Sequence, residues 1–166
     1  MIFVGQGPVP YWVWVSPPRA EWMRARMART GAIVIWLALV AGIVVGLNLP
    51  SSRHPFAWLG VIMAGLGVFW GLLSGLSVVL ARSCARDGYF DVANAQMVRR
   101  LLGVLWGSVI VCTMIAGLLE VAVLSDERRP VPFTVGAAAY LAVLVLLVVL
   151  GGVAFFTARK VLRVSP

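Results

Sequence analysis

Residues 133–158 read FTVGAAAYLAVLVLLVVLGGVAFFTA, a run that contains no charged side chain. An α-helix needs about 20 apolar residues to cross the hydrocarbon core of a bilayer, and this run exceeds that length. Three more long apolar runs precede it, over residues 31–49, 57–81 and 101–124, none of which contains Lys or Arg. An open strand in lipid would leave backbone groups unpaired, so each run is predicted to be a helix. We therefore predict an all-α membrane protein with four transmembrane helices.

The composition of the chain agrees with this prediction. Hydrophobic residues make up 61% of the 166 residues and charged residues only 12%. Soluble domains are nearer to one half apolar and one quarter charged. A soluble fold of this size has no interior large enough to hide so many apolar side chains, so lipid is expected to cover much of the surface.

Residues 1–17 are predicted to form an N-terminal arm outside the membrane-spanning region. They are apolar, but they are too short and too often interrupted by glycine and proline to span a bilayer. Tyr11, Trp12 and Trp14 are residue types that prefer the headgroup zone. We expect the arm to lie against the membrane interface or to pack on a neighbour, ahead of a four-helix transmembrane domain over residues 18–166.

The connections between the predicted helices are short, which favours an up-down-up-down bundle of antiparallel neighbours. Pro55 and Pro132 are placed to open the second and fourth helices, because proline is tolerated in a first helical turn. The second helix is expected to continue towards Asp87, with Gly88 as its C-terminal cap. Asp91 is a suitable N-cap for the third helix.

An internal repeat would divide the bundle into two tandem helical hairpins. Residues 55–86 align with residues 132–163 at a fixed offset. The matched pairs include Pro55/Pro132, Phe56/Phe133, Gly75/Gly152, Ala81/Ala158, Arg82/Arg159 and Arg86/Arg163. The alternative is that any two membrane hairpins need a proline start, an apolar middle and an arginine end, so both interpretations stay open.

The basic residues indicate the orientation of the chain, whose net charge is +8. Eleven of them flank the spans on one side: Arg19, Arg24, Arg26, Arg29, Arg82, Arg86, Arg99, Arg100, Arg159, Lys160 and Arg163. The other side carries Arg53, Arg128 and Arg129. The positive-inside rule places both termini in the cytoplasm of a bacterial inner membrane. Anionic lipid headgroups, and not nucleic acid, are the expected partners of nine of these residues: Arg24, Arg26, Arg29, Arg82, Arg86, Arg99, Arg100, Arg159 and Lys160.

Small residues recur at four-residue spacing within three of the predicted helices. The candidate packing positions are Gly42, Gly46, Gly67, Gly71, Gly75, Gly103 and Gly107. Lipid gives helices no hydrophobic reason to associate, so they pack where small side chains let the backbones approach. These faces are expected either to pack within the bundle or to contact another membrane protein.

Residues that carry chemistry are few. Glu120 is the one acid within the predicted spans, which makes it the candidate for a transport role, although it lies near a helix end. His54 is the single histidine of the chain, and the carboxylates of Asp87 and Asp91 are predicted on the opposite side of the membrane. We therefore expect no enzyme activity, no metal and no cofactor.

The pattern favours a small non-catalytic subunit of a larger membrane assembly, in contact with other membrane subunits or with copies of itself. The alternative is a small homo-oligomeric transporter or channel that uses Glu120. A substrate pathway needs polar groups near the midplane of the membrane, and the predicted spans contain few of them.

The predicted orientation can be tested with reporter fusions in a bacterial host. Because arginine-rich flanks stay in the cytoplasm, green fluorescent protein fused after Pro166 should fluoresce, whereas alkaline phosphatase fused after Asp126 should be active. Fluorescence and phosphatase assays on both fusions check this result. The opposite pair of signals would contradict the orientation.

Overall fold

The structure is a computed structural model that describes residues 12–49, 55–125 and 135–163. Its long helices are α1 (Pro17–Leu47), α2 (Pro55–Leu80), α3 (Val92–Leu124) and α4 (Val135–Val161). Each is long and apolar enough to cross a membrane. The predicted four-helix membrane fold is therefore confirmed, and the chain is a multi-pass membrane protein.

The helix ends follow local signals in the sequence. α2 begins at Pro55, as predicted. α1 closes at Asn48, whose side-chain nitrogen donates to the carbonyl oxygen of Val44 at 2.9 Å. Asp91 caps α3 as predicted, because its carboxylate accepts a hydrogen bond from the backbone N–H of Asn94 at 2.9 Å. The predicted start of the fourth helix at Pro132 lies outside the described residues, as do residues 1–11 of the arm.

The segment between α2 and α3 differs from the prediction. α2 ends at Leu80 and does not reach Gly88; a 3₁₀ turn (Ala81–Cys84) and a β-hairpin follow it. The hairpin consists of β2 (Ala85–Arg86) and β3 (Tyr89–Asp91), joined by a turn in which Gly88 takes a φ of +79°. Asp-Gly is a strong hairpin signal, and glycine adopts positive φ without steric cost. The sequence analysis assigned this glycine to a helix end instead.

The N-terminal segment completes a small sheet on this hairpin. Strand β1 (Trp12–Trp14) pairs antiparallel with β3, so the strand order is β1-β3-β2. The backbone N–H of Val15 also donates to the carbonyl oxygen of Gly88 at 3.0 Å. The residues just before α1 are thus attached to the connection between α2 and α3.

Buried side chains form two clusters along the bundle. One lies beside the sheet and contains Met23 and Met27 of α1, Phe90 of β3, and Ala158 and Leu162 at the end of α4. We call this the sheet end of the molecule. The second cluster surrounds Ala64, Val109, Tyr140 and Leu147, and it lies towards what we call the opposite end.

The tightest helix contact joins α1 and α2 at Gly31 and Gly75. A Cβ added to Gly75 would lie 2.6 Å from Cγ1 of Ile35 and 3.0 Å from the carbonyl oxygen of Gly31. A Cβ added to Gly31 would lie 2.8 Å from the carbonyl oxygen of Gly75. The two backbones are therefore in direct contact, the arrangement that small residues permit between membrane helices.

The contact between α3 and α4 is built differently, around Trp106. Its indole N–H donates to the carbonyl oxygen of Val148 at 3.1 Å. A Cβ at Gly151 would lie 2.8 Å from Cδ1 of the indole, so the ring occupies the space that this glycine leaves. Phe155 stacks on the same ring at a centroid distance of 5.3 Å. A large aromatic side chain therefore separates this helix pair.

The glycine contact predicts a specific destabilisation by Gly75→Ala. The added methyl group would meet Ile35 and the Gly31 carbonyl, and overpacking of this kind costs about 1–3 kcal/mol. Thermal unfolding of the purified protein in detergent should show the loss. Gly65→Ala is the matched control on the same helix, because no described atom lies within 4 Å of its added Cβ. Equal stability of the two variants would contradict the contact.

Candidate functional site

The structure places five of the seven candidate packing glycines against other helices. The space beside Gly42 is filled by Val68, and the space beside Gly71 by Ala38, each 3.3 Å from an added Cβ. The remaining contacts are those of Gly67 with Leu147, Gly75 with Gly31 and Ile35, and Gly103 with Phe155. Gly31 was not among the candidates, because it does not share their four-residue spacing.

The other two candidates, Gly46 and Gly107, face away from the described part of the bundle. An added Cβ at either position would meet no described atom within 4 Å. Gly65 and Gly117 have the same open surroundings. These four glycines leave recesses on the outer surface of the helices, where lipid or another protein can approach the backbone.

Glu120 lies near the opposite end of the bundle, beside α2 and α4. A Cβ added at Gly60 would lie 3.9 Å from Oε2 of Glu120 and 3.2 Å from the hydroxyl oxygen of Tyr140. The buried hydroxyl of Tyr140 donates to the carbonyl oxygen of Gly60. A carboxylate and a phenol therefore converge on one glycine, where an added Cβ would be in tight contact with the phenol hydroxyl.

Several hydroxyl groups inside the helices bond to the helix that carries them, whereas the Tyr140 hydroxyl bonds to a neighbouring helix. Ser74 donates to the Trp70 carbonyl at 2.9 Å, and Ser77 donates to the Leu73 carbonyl at 2.8 Å. Thr113 donates to the Val109 carbonyl at 2.9 Å. Back-bonding of this kind satisfies the hydroxyl locally and leaves it without a free donor. These three side chains do not line a polar path.

The basic residues gather at the sheet end. Arg24 of α1 forms an ion pair with Asp87 of the hairpin turn, with Nη1 and Oδ1 3.2 Å apart. Both side chains are at least one third exposed, so the pair contributes at most about 1 kcal/mol to stability. Arg24, Arg82 and Arg86 line one cleft, and Arg99, Arg100 and Arg159 line another. Arg26, Arg29 and Lys160 do not line either of them.

The sheet presents aromatic side chains on its outer face. Trp12 pairs with Asp91 and Trp14 with Tyr89, while Val13 pairs with Phe90. Successive strand residues point to opposite faces, which agrees with the burial: Phe90 is 1% exposed, Trp14 69% and Tyr89 57%. The sequence analysis identified these tryptophans as interfacial, but it predicted neither the strand nor its partner.

Among the described residues there is no group of three histidine, cysteine, aspartate or glutamate side chains that could hold a metal ion. Cys84 is buried beside the sheet and Cys112 is half-buried in α3, and both are free thiols. No protein-family model, no curated protein and no solved structure matches the chain.

The contact between Tyr140 and Gly60 predicts that Tyr140→Phe destabilises the bundle. Loss of one buried hydrogen bond costs about 0.5–1.5 kcal/mol, which thermal unfolding in detergent should detect. Tyr89→Phe is the matched control, because Tyr89 lies on the exposed sheet face. If both variants unfold like the wild-type protein, the hydrogen bond does not contribute to stability.

Proposed function

We propose that this chain is a small non-catalytic protein of a bacterial inner membrane, which serves as an accessory or structural subunit of a larger membrane complex. The observation that carries the proposal is the local satisfaction of polar groups within the helices. Ser74, Ser77 and Thr113 are bonded to their own backbones. A protein that acts through its outer surfaces needs no polar interior.

The proposed topology is an up-down-up-down bundle with both termini in the cytoplasm. The contacts support the alternation because they run in opposite directions along neighbouring helices. Gly31 and Gly42 of α1 meet Gly75 and Val68 of α2 in turn, and Gly103 and Trp106 of α3 meet Phe155 and Gly151 of α4. Glu120, near the end of α3, approaches Gly60 near the start of α2. Val15 and Leu162, which lie close to the two ends of the described chain, belong to the same buried cluster. The arginine-rich flanks assign that end to the cytoplasm.

The outward face of α3 is the proposed contact surface for a partner subunit. The recess at Gly107 is open, and the neighbouring outward residues Val104, Ser108 and Val111 are small or β-branched. Two helices approach closely where both present small residues. The equally open Gly65 is flanked on α2 by exposed Ile62 and Phe69, whose bulk keeps another backbone away.

A transporter or channel is the second candidate, and the surroundings of Glu120 are the observation that favours it. Ionisable residues within a membrane mark ion and proton pathways in many proteins. Glu120 and Tyr140 both approach Gly60, so a proton could pass between their side chains near this end of the bundle. The proposed pathway would still have to cross the middle of the helices. The hydroxyl groups of Ser74, Ser77 and Thr113 are already bonded to their own backbones there, which weighs against this candidate.

The subunit proposal predicts a distinct effect of Gly107→Leu. We expect the fold to tolerate leucine, because Gly107 is exposed and an added Cβ would meet no described atom within 4 Å. The side chain would fill the recess that a partner helix needs. Mild-detergent purification from the native membrane, read by native mass spectrometry, should show foreign subunits bound in fixed ratio to the wild-type protein. Gly107→Leu should lose most of them.

Gly65→Leu is the matched control for this experiment and should retain the same subunits. A wild-type preparation that contains only this chain would contradict the subunit proposal. Glu120→Gln then discriminates the second candidate, because the substitution removes the carboxylate and keeps the shape of the side chain. Loss of ion or proton flux in liposomes that hold Glu120→Gln, compared with wild-type liposomes, would establish transport.

A further inference from the structure

The sheet end contains two clefts, each of which is lined by three arginines. The first has a volume of about 460 Å³ and lies between α1, the 3₁₀ turn and β2. Its charged lining consists of Arg24, Arg82 and Arg86, and Ala25 and Ala28 form its apolar wall. Asp87 is the carboxylate that approaches it, through its ion pair with Arg24. The lining therefore keeps a positive excess.

The second cleft has a volume of about 320 Å³ and lies between the start of α3 and the end of α4. Arg99, Arg100 and Arg159 supply its charge, Gln96 adds an amide, and the ring of Phe155 forms its apolar wall. Among the described residues, no carboxylate belongs to this lining. Three guanidinium groups and an amide give a concentrated set of hydrogen-bond donors.

The two clefts occupy equivalent places in the two helical hairpins. Arg82 and Arg159 are matched in the internal alignment of the sequence, and each follows a fully buried alanine, Ala81 or Ala158. Each cleft combines arginine from at or just after the end of the second helix of a hairpin with arginine from the first half of the first helix.

Arginine is suited to phosphate, because its planar guanidinium donates two parallel hydrogen bonds to a phosphate group. Basic pockets between membrane helices are a known setting for phosphorylated lipid headgroups. Exposed apolar side chains lie near the clefts in the sequence: Leu80 comes two residues before Arg82, and Phe156 comes three residues before Arg159. An acyl chain can lie on that surface while the phosphate remains at the arginines.

We propose that each cleft binds the phosphate group of one anionic phospholipid, so that the chain holds two such lipids at its sheet end. The ligand chemistry is a phosphate diester attached to acyl chains. A soluble phosphate ester has the phosphate group but no acyl chains, so it cannot use the apolar helix surface near the clefts.

The test is native mass spectrometry of the full chain in detergent with dioleoyl phosphatidylglycerol as the probe. The wild-type protein should retain two lipids in preference to dioleoyl phosphatidylcholine. One hydrogen bond to a charged group contributes roughly tenfold or more in affinity. Arg82→Gln/Arg86→Gln should therefore weaken one of the two lipids by about 100-fold, and Arg99→Gln/Arg159→Gln should weaken the other.

Arg26→Gln/Arg29→Gln is the matched control, since these exposed arginines on α1 line neither cleft. It removes the same charge at the same end and should keep both lipids. If the control loses as much lipid as the cleft variants, the attraction comes from diffuse charge and the proposal fails. If glycerol 3-phosphate displaces the lipid at equal concentration, the clefts recognise free phosphate esters, which also overturns it.

Arg82→Lys/Arg86→Lys separates recognition from folding. Lysine keeps the charge but lacks the bidentate geometry, so this variant should bind the lipid more weakly than wild-type protein and more tightly than the glutamine variant. Equal unfolding temperatures of the lysine, glutamine and control variants in lipid-free detergent show that the fold is intact. If the lysine variant binds the lipid as weakly as the glutamine variant does, the positive charge of the cleft does not contribute to lipid binding.

Discussion

At the crossing of α1 and α2, Gly31 and Gly75 bring two helix backbones into direct contact. Hydrocarbon gives no hydrophobic force between helices, so such close packing is a main source of their adhesion. The other two helices pack against this pair, because α3 and α4 both contact α2. Leu147 of α4 fills the space beside Gly67 and Gly71 on α2, and α3 joins α4 through Trp106.

The two helix pairs use opposite solutions at corresponding depths. At Gly31 and Gly75, α1 and α2 bring their backbones together, whereas an indole ring separates α3 and α4 at Gly151 and donates its N–H to the Val148 carbonyl. If the hairpins arose by duplication, their packing has diverged while the arginines at their ends have not. The ends and the middles of the helices are therefore under different physical constraints.

The helices could be predicted from the sequence because long apolar runs and local caps such as Asp91 need no tertiary information. The sheet could not. Its strands are two or three residues long, which is too short to show an alternating apolar pattern. β1 and its partner β3 are also separated in the sequence by α1 and α2. Gly88 was assigned to a helix end because a helix cap and a hairpin turn both favour glycine at positive φ.

The candidate site was predictable only in part, because residue spacing does not reveal which neighbour a face meets. Gly71 and Gly107 belong to the same kind of spacing, yet one faces Ala38 and the other faces open space. Glu120 could be identified as the lone acid of the spans. Its approach to Gly60, and the hydrogen bond from Tyr140, depend on helix packing between residues far apart in the chain.

The pairing of β1 with β3 also has a consequence for biosynthesis. Trp14 leaves the ribosome long before its partner Tyr89 does, and at 5–20 residues per second the delay is about 4–15 s. During that interval α1 and α2 are synthesised, and β1 has no strand to pair with. The sheet can therefore close only after both of these helices have been made.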